Sequence, residues 1–238
     1  MKSEPSLPLD HPSLRKSPRL YFAITNQCNR ACPWCSVYSS PEKSTFLELE
    51  KYRALLPNDQ SFEVQLEGGE PTIHPQFWNF VEAARAHSNC TLLVLCTNAV
   101  RFPRENEELI KFLNKLGSPL LLKISVNHYL LDRDPGLLVL LEKIKAWTLS
   151  KSNCKLIINV RRRKGADQDD NWILEKLKAS HLLELANDFF LQRYGLASDQ
   201  IDWELPFVVS DQFKMINPDG EIHHGDLITR SEAMGNLK

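Results

Sequence analysis

The sequence predicts an α/β fold built on a parallel sheet. Apolar, strand-like runs alternate with stretches of helical periodicity, the pattern of βαβ units joined by right-handed crossovers. Runs such as Leu92-Leu-Val-Leu95 are unbroken by polar residues, as in strands buried on both faces. Five or six such units are present, short of the eight that close a full α/β barrel.

In order, 19–25 reads as the first strand and leads into a cysteine-rich loop. A helix over 47–56 precedes a strand over 62–67, which ends at the pair Gly68-Gly69. Residues 75–87 place Phe77, Phe80, Val81 and Ala84 at helical spacing. A third strand over 91–97 is followed by a helix over 105–116, and a fourth over 120–126 by a helix over 135–149. The fifth strand spans 154–160, with a helix over 171–186 after it. Two segments compete for the sixth strand, 188–192 and 203–209. Residues 216–222 read as a tight hairpin turning at Pro218-Asp-Gly220. Three parts are expected: a flexible N-terminal segment, 1–18; the α/β core, 19–210; and a short C-terminal extension, 211–238.

The 238 residues suffice for one such core. A net charge of −1 argues against a nucleic-acid binder that works through global electrostatics. No apolar stretch is long enough to span a bilayer, and residues 1–18 are polar and proline-rich without the apolar core of a secretory signal. Six cysteines without a disulfide framework fit a reducing cytoplasm.

Half of those cysteines stand together. Cys28, Cys32 and Cys35 form a C-x3-C-x2-C run in which three thiolates converge and a fourth is missing. Structural zinc takes four protein ligands and an electron-transfer cubane takes four cysteines. Three ligands leave one metal corner open, as a catalytic cluster requires. A zinc knuckle completed by His74, His128 or His223 is an alternative, as are three unrelated buried thiols. Cys90, Cys96 and Cys154 lie singly in apolar stretches and read as core residues.

The segment Leu66-Glu-Gly-Gly-Glu-Pro-Thr72 supplies context. Paired glycines let backbone approach a ligand closely, and Glu70 is able to accept a charge-assisted bond from an ammonium group. Together with the cysteine run, this segment resembles the radical S-adenosylmethionine (SAM) superfamily. The resemblance implies an open, partial (β/α)6 TIM-like barrel. It implies a [4Fe–4S] cluster on Cys28, Cys32 and Cys35, with the methionine amino and carboxylate groups of SAM on the fourth iron. Gly68, Gly69 and Glu70 would hold the amino group, and Trp34, the aromatic residue before the third cysteine, would lie near the adenine.

In barrels the chemistry gathers at the C-terminal ends of strands, which nominates Thr97, Asn98, Ser125, Asn127, Arg161 and Arg162. By resemblance, Ser125 and Asn127 suit the polar contacts of the fourth strand, and one of the two arginines suits the SAM carboxylate, where a guanidinium fork binds bidentately. The resemblance also implies a reduced flavodoxin- or ferredoxin-like electron donor. The hairpin and Gly235-Asn-Leu237 resemble the opening of the SPASM or twitch extension of peptide-modifying members. No cysteine follows Cys154, so a single cluster and two exposed hairpin histidines, His223 and His224, are expected. A peptide or protein substrate follows from that likeness. Activation of a glycyl-radical enzyme and small-molecule or cofactor biosynthesis are the alternatives.

Overall fold

The computed structural model describes Asp10, Arg15 and residues 17–164, 170–206 and 213–238. Six parallel strands follow one another in space as in sequence: β1 (Arg19–Thr25), β2 (Phe62–Gly68), β3 (Cys90–Thr97), β4 (Leu120–Val126), β5 (Cys154–Arg162) and β6 (Ala186–Phe190). Helices α1 (Leu49–Leu55), α2 (Phe77–Ala86), α3 (Asn106–Leu116), α4 (His128–Arg133), α5 (Leu137–Leu149) and α6 (Asn171–Ala179) fall between them.

One face of every strand meets the helices. Phe22, Leu66, Leu95, Ile124 and Ile158 pack with Phe80, Leu113, Leu141 and Ile173 in one continuous core. The opposite, inner face carries a small apolar cluster of Val94, Leu121 and Ile157. Both faces are covered, as the unbroken runs imply, but the inner one is largely polar. On it Arg19 bonds Glu63 at 2.8 Å, and Lys123 and Arg19 both reach Asp10. The expected N-terminal segment lies mostly outside the described residues; Asp10 and Arg15, which are described, pair with this inner face, Arg15 donating to the Tyr21 hydroxyl.

The Leu196 N–H donates to the Cys35 carbonyl at 3.0 Å, so the loop after β6 meets the loop after β1. Six strands bring their first and last loops together only by curling, which makes the sheet an open partial barrel. Among the described residues β6 is the last strand on one side of this sheet.

One helix is shorter than expected. Helix α6 stops at Ala179 rather than 186: His181 takes a left-handed φ of 52°, and a 3-10 turn at Leu183–Leu185 leads straight into β6. The sixth strand is thus the first of the two candidates; residues 203–206 form no strand, and 207–212 lie outside the described residues. The predicted hairpin is present as β7 (Lys214–Ile216) and β8 (Ile222–His224), with Gly220 at φ 81° in its turn. Its first strand, β7, pairs parallel with β1 and extends the main sheet. Helix α7 (Leu227–Asn236) then follows, capped by Asp226, whose side chain accepts from the Ile228 and Thr229 N–H groups.

Candidate active site

At the C-terminal ends of β1–β6 lies a cleft of about 460 Å³, the size class of a small-molecule site. Cys28, Cys32 and Cys35 line it, together with Gly68 and Gly69. The loop bearing the cysteines leaves β1 and is pinned back at its far end. The Asn26 side chain accepts from the Thr45 N–H at 2.9 Å, and the Cys28 N–H donates to the Ser40 carbonyl at 3.0 Å. The three cysteines are free thiols. Burial pushes Cys28 and Cys32 up to about 12, reinforced by the charge of Glu70 at Cys28 and by Cys35 at Cys32. Burial raises Cys35 as well. Buried thiols this reluctant to ionise become thiolates only with a cation beside them, which is the electrostatic role of a metal centre.

Among the described residues, no three His, Cys, Asp or Glu side chains are gathered closely enough for one metal ion. In a cubane, unlike a single zinc site, each thiolate binds its own iron. The histidines proposed to complete a zinc site serve elsewhere. His74 is buried between the Leu47 carbonyl and the Gln76 N–H. His128 sits 3.4 Å from Asp170, and His223 is within 3.1 Å of Asn217. The expectation of two exposed hairpin histidines holds for His224 only, since His223 is buried.

The glycine pair has a reason that sequence reasoning did not anticipate. A Cβ on Gly69 would lie 2.1 Å from the Gln27 carbonyl oxygen, and one on Gly68 2.2 Å from that of Thr25. Gly68 also has φ 143°, a conformation side chains rarely adopt. The glycines therefore let the end of β2 press against the root of the cysteine loop. Gly69 and Glu70 donate their N–H groups to the Thr25 and Gln27 carbonyls at 2.7 and 2.9 Å.

Glu70 is placed differently from expectation. It is fully buried, behind the cleft wall, and its carboxylate accepts four bonds: from Thr72 N–H, Thr72 Oγ1, Thr97 Oγ1 and Asn98 N–H, at 2.5–3.1 Å. Burial raises its pKa, while those donors favour the charged form. With three of these bonds on Oε1 and one on Oε2, it braces the ends of β2 and β3. Asn98, held by it, does face the cleft and donates to the Asn29 side chain at 2.8 Å, beside Cys28.

Thr97, Ser125 and Asn127 also line the cleft. Asn127 caps α4 by accepting from the Leu130 N–H. Trp34 closes one side, its ring centroid 4.6 Å from His128 and 6.0 Å from Tyr129. The neighbouring arginines diverge because successive residues of a strand face opposite ways. Arg161 points inward, over the Phe189 ring at 4.4 Å, and forms no ion pair among the described residues. Burial lowers its pKa. Arg162 points outward and grips Asp188 and Asn171.

Several cleft residues were missed. Cys96, read as core, faces the cleft, and Asn159 and Glu67 join it. Asn159 was visible as the polar interruption of an apolar strand. Arg230, on α7, donates to Glu67 at 2.8 Å and to Asn217 at 3.1 Å, and no sequence pattern pointed to it.

The sequence profile of the Radical SAM superfamily matches residues 22–159. The chain is 29% identical over 93 residues to a GTP 3′,8-cyclase of Chlorobaculum tepidum, covering 38% of this chain and 28% of the cyclase. It is 34% identical over 89 residues to the mycofactocin maturase MftC of Mycobacterium tuberculosis, covering 36% of this chain and 22% of the maturase. The matched parts are thus less than a third of either relative. In fold, the chain resembles SuiB of Streptococcus suis, solved with its precursor peptide SuiA, at TM-score 0.58 and 12% identity over 93% of this chain and 61% of SuiB. SuiB solved with S-adenosylmethionine gives TM-score 0.53 at 13% identity, over 87% of this chain and 59% of SuiB. With the profile spanning more than half its length, from β1 through the cysteine loop and the glycine pair into β5, the chain belongs to the radical SAM superfamily, whose members are enzymes that use a [4Fe–4S] cluster and S-adenosylmethionine.

Proposed function

We infer that Cys28, Cys32 and Cys35 hold one [4Fe–4S] cluster and that SAM lies between it and the strand ends. The carrying observation is that the three thiols and the Gly68-Gly69 pair share one cleft and are joined by the Gly69–Thr25 bond. A cluster held there would supply the single electron, received from a reduced flavodoxin- or ferredoxin-like donor, for reductive cleavage of SAM to methionine and a 5′-deoxyadenosyl radical able to abstract a hydrogen atom from a substrate.

The chain's own groups bind and orient. Backbone at Gly68 and Gly69 takes the methionine amino group, and Arg161, a cation without a carboxylate partner among the described residues, takes the carboxylate. Trp34 flanks the adenine; Ser125, Asn127, Thr97 and Asn98 supply the polar wall. Glu70 and Arg162 act behind this wall and hold it in place. Phe189 and Leu130 restrict water, which protects a reactive radical.

The substrate we propose is a peptide or protein. Support comes from the likeness to a maturase and to SuiB, and from the cleft's position beside β6, the last strand on one side of the sheet among the described residues; extended peptides commonly bind by adding a strand to a sheet. The GTP 3′,8-cyclase likeness keeps a small-molecule substrate as the second reading.

Anaerobic reconstitution with iron and sulfide tests the assignment. We expect about four irons per chain, loss of them in the triple Cys28/Cys32/Cys35→Ala variant, retention in Cys96→Ala, and release of 5′-deoxyadenosine from SAM. Full iron in the triple variant would overturn it. A mass change in a peptide encoded beside the gene supports the peptide reading; turnover of a nucleotide with peptides inert replaces it with the second.

A further inference from the structure

The segment after Cys35 is clamped from two sides. Tyr38 sits at φ 53°, a left-handed conformation uncommon outside glycine and asparagine. The Ser39 N–H points at the Cys35 sulfur, 3.3 Å away, and the backbone N–H groups of Val37 and Tyr38 also favour its thiolate. Consecutive N–H groups gathered by a left-handed residue make a concave anion site, a nest. A Cys35 thiolate would be such an anion.

Helix α7 holds the nest closed. A Cβ on Gly235 would lie 3.0 Å from the Tyr38 ring, so the glycine backbone is pressed against that ring. One turn earlier, the Ser231 hydroxyl donates to the Ser36 carbonyl at 2.5 Å. Lys43, further along the cysteine loop, donates to the Gly235 carbonyl at 3.0 Å and also to that of Leu237. On the opposite side Gly195, at φ 63°, packs where any Cβ would be 2.5 Å from the Cys35 carbonyl oxygen. Between these contacts Arg230 of the same helix reaches Glu67, next to the glycine pair.

We propose that α7 is a positioning element that tunes the cluster, the Gly235–Tyr38 contact fixing the backbone N–H groups around the Cys35 thiolate. Hydrogen bonds to a cluster sulfur stabilise the reduced, more negative state and raise the reduction potential. The proposal rests on the cluster assignment above, and iron analysis of the unaltered protein tests that assignment separately.

The readout is the cluster's midpoint potential, from redox titration followed by electron paramagnetic resonance, on the reconstituted full chain. Gly235→Val is expected to load the normal amount of iron and to shift the potential downwards. Tyr38→Gly makes room for the valine and tolerates the left-handed backbone, so Gly235→Val with Tyr38→Gly is expected to recover the original potential. Tyr38→Asn, which accepts that backbone, should keep the potential, and Tyr38→Val should lower it. A role confined to stability would move the melting temperature in these variants and leave the potential unchanged. An unchanged potential in both Gly235→Val and Tyr38→Val would overturn the proposal. If Gly235→Val does not fold, the Tyr38 pair and Ser231→Ala, expected to lower the potential slightly, decide it alone.

Discussion

The backbone N–H of Gly69 lies 2.7 Å from the carbonyl oxygen of Thr25, and that bond, with the one from Glu70 to the Gln27 carbonyl, joins the end of the strand carrying the glycine pair to the root of the cysteine loop. Two motifs far apart in sequence become one site through main-chain contact. No side chain occupies the space between them, and none fits there.

Gly69→Ala should therefore damage the cysteine loop more than the glycine's own surroundings. Its Cβ would meet the Gln27 carbonyl at 2.1 Å, and backbone gives way less readily than a flexible side chain. A cost of roughly 1–3 kcal/mol is expected from such overpacking. The check is thermal unfolding together with iron content after reconstitution. Normal iron binding with normal stability would mean that the two motifs are not coupled in this way.

How much of this was legible in the sequence follows from what kind of information a pattern holds. Strands β1–β5 and the cysteine loop were readable because apolar runs, turns and ligand spacing are local. The polar inner face went unread, although Glu63, Gln65 and Glu67 alternate along β2. Orientation was not readable either. Arg161 and Arg162 look equivalent in sequence and face opposite sides of β5, and Glu70 was read as a ligand residue although its carboxylate faces four donors behind the cleft. Helix α7 and Arg230 were missed because what gives them their place is tertiary: an Asp226 cap and contacts with Tyr38 and Glu67.

The brace made by Glu70 gives a second expectation. Glu70→Ala leaves the Thr97 hydroxyl and the Asn98 N–H buried without their acceptor, at about 1–3 kcal/mol for each unsatisfied group. Glu70→Gln keeps the shape and part of the bonding, and should lose less. Because the carboxylate does not face the cleft, SAM affinity should fall only as far as the wall loosens, in step with stability across the two variants. Calorimetric titration and melting curves check this. A large loss of affinity in Glu70→Gln at unchanged stability would return Glu70 to the ligand shell.

The two arginines offer a sharper contrast. Arg161→Ala removes a cleft cation that has no carboxylate partner among the described residues and should weaken SAM binding by roughly 10- to 100-fold, the worth of a charge-assisted hydrogen bond to a carboxylate. Arg162→Ala breaks its grip on Asp188 and Asn171 and should lower stability while leaving the dissociation constant for SAM nearly unchanged. Arg161→Lys keeps the charge without the fork, so an intermediate affinity is expected. The reverse ranking would assign the carboxylate to Arg162.

Asp10 carries the last prediction, a pH dependence. Its carboxylate lies 2.5 Å from Arg19 and 3.0 Å from Lys123 on the inner face of the sheet, and its side chain is 8% exposed. Burial alone would raise its pKa, but the bonds to Arg19 and the charge of Lys123 outweigh burial and hold it below the ordinary 3.8. A carboxyl whose folded-state pKa is depressed contributes stability that is fully present above its unfolded value and disappears as pH falls through the folded one. Asp10→Asn removes that countercharge and leaves Arg19, Arg15 and Lys123 facing Glu63 alone. The expected cost near neutral pH is on the order of 3 kcal/mol. Denaturant unfolding of both proteins across pH should show a constant gap above about pH 5 that narrows below pH 4. A gap that stays constant down to pH 2 would mean that Asp10 stabilises the barrel through its shape and hydrogen bonds rather than its charge.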